Sequence, residues 1–417
     1  MAGRGGRAGG VSTMNRIVHI GTGAFHRAHQ AWYIAQAGGW RIDGVSLRSA
    51  AVRDALALDN YAYALEIADA NGRRIEVIDV IDSVTVAPQA PEAVAKLITR
   101  ENTALVTITV TEKGYNLRPD GALDMTAMAA DIAALSGGGQ PVTMPGHLLA
   151  GLARRSTPLT IMSCDNLPAN GEKLRAALLT LAQAVGIDAD RVTRHAFPST
   201  MVDRITPAAD DALRVRVAES GAPLHAPVAT EAFTEWVIED NFAGPMPDLA
   251  AASAQIVDDV APHELRKLRM LNGAHSTLAY AGLNKGLTFV HEAVADPELR
   301  SLARAVMDEA AATLPDAVRT EASTYADALL RRFENPSLAH SLRQIAMDGS
   351  LKLPIRILRT MDDRDDSPAC ARALLEWEMW LDTEFAAGRT PDDPAAQTLR
   401  DGRTKGVTAR TLLEGTP

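Results

Sequence analysis

Short runs rich in β-branched residues alternate with longer Ala-rich stretches between Arg16 and about Ser163. The strand candidates are residues 16–20, 44–48, 104–111 and 159–163, and the helix candidates are residues 24–37, 91–99, 145–154 and 169–185. Parallel strands need a crossover connection of about a dozen residues, which is usually a helix. The alternation therefore predicts an open α/β fold with a doubly wound parallel sheet.

A β-hairpin is predicted between the second and third of these strands. Segments 61–68 and 74–81 flank Asn71-Gly72, a dipeptide that favours the positive φ angles of a tight turn. We expect this hairpin to be an insertion that decorates the parallel sheet.

The first strand leads directly into Gly21-Thr22-Gly23-Ala24-Phe25-His26, which opens the first helix. Two glycines at this point allow a dinucleotide pyrophosphate to approach a helix N-terminus closely. His26 replaces the third glycine of the usual fingerprint, so an ordinary tight turn is the structural alternative. We assign Gly21, Gly23, Ala24, Phe25 and His26 to a cofactor site.

The end of the second strand bears on the choice between NAD and NADP. An acidic residue about 20 positions beyond the glycines usually holds the adenosine ribose. Asp43 has this spacing but precedes the predicted strand, which favours a turn role. Arg48 and Ser49 at the strand end suit a 2′-phosphate, and the structural alternative is an exposed arginine without a ligand. NAD is the predicted cofactor, and Arg48 makes NADP the alternative.

Strand signals nearly vanish beyond about Ala261. Amphipathic stretches at 263–280, 297–312, 320–332 and 370–385 predict helices. A chain of 417 residues also exceeds the usual size of a single core. We therefore predict a disordered extension over residues 1–13, a Rossmann dinucleotide-binding domain over 14–260, and a helical substrate-binding and catalytic domain over 261–417.

Composition and charge exclude several partners. The formal net charge of -10 repels nucleic acid and anionic membrane surfaces, and no apolar run reaches the ~18 to 20 residues of a membrane span. Cys164 and Cys370 require no oxidising compartment. The sequence thus predicts a cytoplasmic protein with a small-molecule partner and without nucleic-acid or membrane partners.

One predicted helix of the second domain carries an amine, an amide and an imidazole. At 100° per residue, Lys267, Asn272 and His275 fall within about 140° of one another. The structural alternative is a solvated lysine and a satisfied core histidine. Two polar segments that follow apolar strand ends, 163–166 and 201–204, add Asn166 and Asp203 as candidates for lining a cleft.

Metal-assisted and serine-nucleophile chemistry have little support in the sequence. Neither an HExxH pair nor a GxSxG elbow occurs. We predict no metal site.

Seven ordered segments together resemble the long-chain polyol-specific dehydrogenases, the family of mannitol dehydrogenase and fructuronate (D-mannonate) reductase. They are IVHIGTGAFHRAHQ (17–30), TEKGY (111–115), SCDNLPANG (163–171), FPSTMVDRITP (197–207), WVIEDNF (236–242), KLRMLNGAHS (267–276) and MDGSLKLP (347–354). The resemblance covers most of the chain. It implies an N-terminal Rossmann domain, a mostly helical C-terminal domain, and metal-independent, NAD(P)-dependent oxidation of a secondary alcohol in the cleft between them.

The resemblance also implies the catalytic residues. Lys267 corresponds to the general acid/base, Asn166 and Asn272 to the residues that hold the carbonyl oxygen, and His275 to a residue that positions the substrate. A free lysine titrates near ~10.4, so catalysis near neutral pH requires its pKa to fall by about 2 to 3 units.

Further residues are implied around the substrate and the cofactor. Asp203 corresponds to a contact with a substrate hydroxyl, and Arg343 and Lys352 fall in a later substrate-binding segment. Thr111 and Glu112 are assigned to the cofactor site.

The substrate hypothesis rests on the segment 111–115 and on the fuller similarity of the segments 197–207, 236–242 and 347–354 to the sugar-acid reductases. With Lys113 at its centre, the segment 111–115 resembles the version found in fructuronate reductases. The cation of Lys113 suits a substrate carboxylate, and the structural alternative is a surface lysine that follows a strand. The favoured reaction interconverts D-mannonate and D-fructuronate. The alternatives are a neutral polyol such as mannitol or arabinitol and, outside enzymes, a nucleotide-binding redox sensor.

Overall fold

The computed structural model describes residues 14–415, so the predicted extension at residues 1–13 lies outside the described residues. The described chain forms two compact units. The first comprises residues 14–67 and 74–260, and the second comprises residues 68–73 and 261–415.

Within residues 14–415, the strands all belong to the segment before residue 260. They are β1 (Arg16–Ile20), β2 (Arg41–Ser46), β3 (Tyr63–Asp69), β4 (Gly72–Ile78), β5 (Ile81–Val86), β6 (Thr103–Ile108), β7 (Thr160–Ser163), β8 (Thr200–Asp203), β9 (Val228–Glu231), β10 (Glu235–Glu239) and β11 (Gln255–Val257).

Helices connect these strands. They are α1 (Ala24–Ala28), α2 (Gln30–Ala37), α3 (Ala51–Ala57), α4 (Pro91–Thr99), α5 (Ala129–Gly137), α6 (Met144–Leu152), α7 (Asn170–Ala184), α8 (Asp190–Thr193) and α9 (Asp211–Ser220), and a 3₁₀ turn covers Glu112–Tyr115.

A parallel five-stranded sheet in the order β5-β2-β1-β6-β7 organises the first unit. The chain runs outward from β1 to β2 and β5, then returns to the other side of β1 as β6 and β7. Ligands of such sheets bind at the carboxyl ends of the strands where the order reverses, here between β1 and β6. The predicted Rossmann-type architecture is confirmed.

The strand sequences explain why the sheet is covered on both faces. Residues 17–20 of β1 and all of β6 and β7 are buried, as expected for parallel strands between two helical layers. Because side chains alternate along a strand, Leu105 joins one apolar cluster and Val106 the other.

The hairpin pairs β3 with β4 but does not extend the parallel sheet. With β9 the two strands form a separate sheet in the order β4-β3-β9. The turn is held by Asp69, whose Oδ1 accepts hydrogen bonds from the backbone N–H groups of Asn71 at 2.8 Å and Gly72 at 3.1 Å. The predicted inserted hairpin is present, and β9, far along the chain, supplies the second neighbour of the buried strand β3.

The predicted helix over residues 24–37 is broken at His29, whose backbone departs from helical geometry (φ −115°, ψ −85°). Its Nε2 lies 2.9 Å from the carbonyl oxygen of Glu235, and its ring packs edge-on against Trp236. These contacts hold the ring in the core of the unit and separate α1 from α2.

The second unit is helical, as predicted. Its α-helices are α10 (Ala261–Arg266), α11 (Asn272–Asn284), α12 (Val290–Ala295), α13 (Pro297–Ala311), α14 (Asp316–Arg319), α15 (Ala322–Phe333), α16 (Leu342–Ile345), α17 (Gly349–Leu353), α18 (Arg359–Asp362), α19 (Pro368–Ala386), α20 (Ala396–Thr404) and α21 (Ala409–Glu414). A 3₁₀ turn covers Pro336–Leu338, and π-helical turns cover Lys267–Leu271 and Pro354–Leu358.

Helix α11 lies at the centre of this unit. Residues 273–282 are all buried, because α12, α13, α16 and α19 pack around the helix. No helix within residues 14–415 is long and apolar enough to cross a membrane.

Candidate active site

The β1–α1 turn is shaped by two glycines with different surroundings. Gly21 has a φ of +104°, and a Cβ atom there would stand 1.9 Å from the carbonyl oxygen of Thr109. At Gly23 the nearest heavy atom to such a Cβ would be the Gly21 oxygen at 3.8 Å, so the backbone there is open to a ligand. This is the close backbone approach that a pyrophosphate requires.

A cavity of about 320 Å³ lies beside this turn, at the carboxyl ends of β1, β6 and β7. Of the sequence-predicted site residues, it gathers Gly21, Gly23, Ala24, Phe25, Thr111, Glu112 and Asn166, and its other lining residues are Thr109, Cys164, Asp165 and Val202. Its position is the one expected for a dinucleotide at the point where the strand order reverses.

Asp165 anchors the loop that follows β6. Its carboxylate accepts hydrogen bonds from the backbone N–H of Val110 at 3.0 Å and of Thr111 at 2.9 Å, and from the Tyr115 hydroxyl at 2.8 Å. Burial raises the pKa of Asp165, whereas these hydrogen bonds oppose the rise. Asp165 thereby fixes Thr111, which has a φ of +69°. Sequence reasoning singled out its neighbour Asn166 and missed this role.

His26 is placed beneath the turn and does not line the cavity. Its ring is fully buried and stacks on His19 with a centroid separation of 3.3 Å. Burial lowers the pKa of His19 to about 3 and the pKa of His26 well below its usual value. Both rings are therefore neutral near pH 7 and supply no positive charge to a phosphate.

His19 connects the ends of β1 and β6. Its Nδ1 lies 2.8 Å from the Thr107 hydroxyl, and its Nε2 lies 2.9 Å from the Thr109 hydroxyl and 3.1 Å from the Gly21 carbonyl oxygen. This residue was not predicted as part of the site. The signal was a histidine among the apolar residues 17–20 of the strand that leads into the glycines.

Asp43 is a strand residue, which corrects the predicted turn role. It lies inside β2, where its carboxylate accepts hydrogen bonds from Arg16 at 2.6 and 2.9 Å, from Arg100 at 3.1 Å and from Ser83 at 2.8 Å. Arg48 is exposed beyond the end of the same strand. Asp43 is thus engaged within the protein, and Arg48 is accessible to a ligand.

The remaining predicted residues of the first unit lie apart from the lining of this cavity. Lys113 is exposed on the 3₁₀ turn, and Asp203 is buried at the end of β8.

In the second unit, the predicted α-helical spacing of the amine, amide and imidazole was wrong. Lys267 begins a π-helical turn, and Asn272 begins α11 directly after it. The i→i+5 turn is wider than an α turn, so the angle of 100° per residue does not apply between Lys267 and Asn272. Lys267 and Asn272 are partly exposed, whereas His275 is buried. Single π-helical turns within helices occur frequently at functional sites.

The ring of His275 packs against two aromatic neighbours, Phe333 at 4.5 Å and His340 at 5.3 Å between centroids. Its Nε2 is buried without a hydrogen-bond partner within residues 14–415. Burial, aided by the nearby Arg332 and Arg356, lowers the pKa of His275 well below its usual value. The imidazole is therefore neutral and able to accept or donate one hydrogen bond.

Lys352 and Arg343 differ in their surroundings. The Lys352 ammonium donates to the carbonyl oxygen of Met347 at 2.6 Å and lies 3.7 Å from Asp348, and burial lowers its pKa. The Arg343 side chain is 61% exposed and pairs with Glu384 at 3.4 Å. Among the described residues, no group of three His, Cys, Asp or Glu side chains is arranged to hold a metal ion.

Comparisons with known proteins cover nearly the whole chain. Residues 15–251 match the mannitol dehydrogenase Rossmann domain, and residues 259–407 match the mannitol dehydrogenase C-terminal domain. The uncharacterized oxidoreductase YeiQ of Escherichia coli (strain K12) is 37% identical over 409 residues, which are 93% of this chain and 83% of that protein.

Two further relatives have named activities. A mannitol 2-dehydrogenase of Phaeosphaeria nodorum is 36% identical over 413 residues, covering 92% of this chain and 72% of that protein. The solved structure of the Pseudomonas fluorescens mannitol 2-dehydrogenase in a ternary complex with NAD and D-mannitol superimposes with a TM-score of 0.77 at 33% identity, covering 94% of this chain and 84% of that one.

Proposed function

The chain belongs to the mannitol dehydrogenase family, and on that premise we propose that it is an NAD-dependent oxidoreductase acting on a secondary hydroxyl of a linear polyhydroxy substrate. The observation that carries this proposal is the cavity at the ends of β1, β6 and β7, where the open backbone at Gly23 meets the requirement of a dinucleotide pyrophosphate. When bound, NAD supplies the ring carbon that accepts the hydride.

Lys267 is assigned the general acid/base role. Oxidation of the alcohol releases a hydroxyl proton together with the hydride, and the amine of Lys267 takes this proton; in the reducing direction the ammonium returns it. Its place at the start of a π-helical turn, partly exposed and next to α11, supports the assignment.

Neutral polar groups hold the reacting oxygen in this scheme. Asn166 and Asn272 donate their amide N–H groups to the oxygen as negative charge develops on it, and removal of one such donor typically costs about 100- to 1,000-fold in turnover. The unpartnered Nε2 of His275 and the carboxylate of Asp203 bind substrate hydroxyls.

D-Mannonate, oxidised to D-fructuronate, is the more specific substrate hypothesis. The segment 111–115 carries Lys113 next to Thr111 and Glu112 of the cavity lining, and a sugar acid requires a cation for its carboxylate. Arg343 and Lys352 are further candidates for substrate binding in the second unit.

A neutral polyol is the second candidate. It is favoured by the two relatives with named activities, which are both mannitol 2-dehydrogenases. Under this alternative the roles of Lys267 and the two asparagines are unchanged.

A substrate panel tests the proposal. The absorbance of the reduced nicotinamide is followed with NAD and with NADP against D-mannonate, D-altronate, D-mannitol and D-arabitol, and with fructuronate in the reducing direction. Turnover of the acids alone supports the mannonate hypothesis. Turnover of the neutral polyols alone contradicts it and identifies the protein as a polyol 2-dehydrogenase. Full-length protein that binds NADH but turns over no member of the panel would contradict the proposed activity.

A further inference from the structure

Arg356 lies directly beside the helix that carries Asn272 and His275. It belongs to the π-helical turn Pro354–Leu358, and its carbonyl oxygen would be 3.2 Å from a Cβ atom at Gly273. Its Nη1 donates a hydrogen bond to the hydroxyl of Ser276 at 3.1 Å. The guanidinium is thus held next to the residues proposed to bind the substrate.

The charge of Arg356 is not neutralised by the protein. No carboxylate of the described chain lies within 4.0 Å of its guanidinium, whereas other arginines of the second unit pair with acids, such as Arg269 with Asp363 at 2.6 Å. The Nε of Arg356 is buried without a hydrogen-bond partner, and the hydroxyl of Ser276 is the one partner of the group within residues 14–415. Arg356 is half-buried, and its guanidinium carries a charge that no carboxylate of the described chain pairs with, so this group is suited to a ligand of opposite charge.

The surrounding charges strengthen this preference. Lys352 is close enough for Arg356 to lower its pKa, in addition to the effect of burial, and Arg332 acts with Arg356 on His275. Asp348 is the carboxylate whose charge raises the pKa of Arg356. The same carboxylate lies 3.7 Å from the Lys352 ammonium, so its charge is shared between the two cations. The arginines that act on the neutral imidazole of His275 are thus both cations.

We propose that Arg356 is a specificity-determining residue that binds the carboxylate of a sugar-acid substrate. The Nη2 atom, which donates to no protein group within residues 14–415, is the donor that meets a carboxylate oxygen, and such a charge-assisted hydrogen bond is about twice as strong as a neutral one. This inference rests on the proposed function and identifies its substrate class. It also shifts the carboxylate contact from Lys113, which is exposed in the first unit, to the second unit.

The test compares acid and neutral substrates in one set of variants. For Arg356→Gln we expect kcat/KM for D-mannonate to fall by about 100-fold, while kcat/KM for D-mannitol changes by less than about 3-fold. Arg356→Lys, which keeps the charge but loses the planar guanidinium, should retain part of the acid activity. Arg319→Gln is the matched control, because it removes an exposed arginine paired with Asp316.

A binding measurement keeps the inference separate from the activity. The NADH-loaded protein, which cannot oxidise an alcohol, is titrated by calorimetry with D-mannonate and D-mannitol. If the wild-type protein binds D-mannonate and Arg356→Gln selectively loses this binding, the inference is supported, even for a protein that proves inactive. Such inactivity would contradict only the proposed function. Wild-type protein that oxidises mannitol but neither binds nor oxidises the acid would overturn the inference and leave a polyol dehydrogenase. Equal losses for both substrates in Arg356→Gln would also overturn it.

Discussion

The carbonyl oxygen of Thr109 lies 1.9 Å from the point where a Cβ atom at Gly21 would stand. The parallel pairing of β1 with β6 brings these strand ends together, and Thr109 donates its hydroxyl to the Gly21 carbonyl oxygen at 2.8 Å. A side chain at Gly21 is therefore excluded by the fold itself, irrespective of any ligand. A Cβ atom at Gly23, two residues later, would meet no protein atom closer than 3.8 Å. The fold therefore does not require a glycine at this position, whereas a bound dinucleotide would.

Gly23→Ala should weaken NADH binding without destabilising the protein. Gly23 has an ordinary φ of −85°, and its added methyl group would meet no protein atom closer than 3.8 Å, but it would occupy space next to the pyrophosphate. We expect the Kd for NADH, measured by fluorescence titration, to rise by about 10-fold or more.

Gly38→Ala is the matched control. Gly38 has a φ of +67° and open space around it, so alanine should cost about 1 kcal/mol of stability and leave NADH binding unchanged. Unchanged NADH affinity in Gly23→Ala would contradict the assignment of the turn to the cofactor.

Lys267→Ala should lower turnover by about 100-fold or more, because the proton of the reacting hydroxyl loses its acceptor. The Kd for NADH should remain within about 3-fold of wild type, since Lys267 acts on the substrate oxygen. Partial recovery of the rate on addition of small primary amines would identify the missing group as an amine.

Lys285→Ala provides the comparison, since this lysine pairs with Asp296 and Glu298 at 2.8 Å on the surface of the same unit. We expect it to retain wild-type turnover. A Lys267→Ala rate equal to that of the control would show that another group transfers the proton.

Arg48→Ala tests whether Arg48 binds the 2′-phosphate of NADP. Arg48 is exposed beyond the end of β2, whereas Asp43, the acid with the expected spacing, is held by Arg16 and Arg100. If Arg48 binds the phosphate, its loss should raise KM for NADP by about 10-fold and leave KM for NAD nearly unchanged. Equal changes for both cofactors would exclude this role.

The order of elements was predictable because it rests on local patterns. Strand β1 occupies residues 16–20 and helix α4 occupies residues 91–99, as the apolar periodicity indicates. The turn glycines followed from their place between a strand and a helix.

Other features depend on partners distant in the sequence and carried no local signal. The break at His29 requires a carbonyl group 206 residues away, and the place of Asp43 within β2 depends on Arg16 and Arg100. The unpaired state of Arg356 is likewise a property of its surroundings, since an arginine in a sequence does not reveal whether a carboxylate folds against it.

His19→Gln should reduce the acid sensitivity of the fold. Burial lowers the pKa of His19 to about 3, whereas the same side chain titrates near ~6.5 in the unfolded chain. Below pH 6.5 the unfolded state therefore binds a proton that the folded state does not, so the free energy of unfolding falls as the pH falls. Between pH 7.5 and 5.5 this histidine accounts for a loss of about 1.4 kcal/mol.

Urea unfolding at these two pH values measures the effect. The glutamine amide can hydrogen-bond to Thr107 and Thr109 without titrating, so the variant should lose about 1.4 kcal/mol less than wild type on acidification. An identical loss in wild type and variant would show that His19 accepts a proton in the folded protein, which its complete burial between two strands opposes. A smaller loss in the variant would identify the contact between the β1 and β6 ends as one that requires a neutral imidazole.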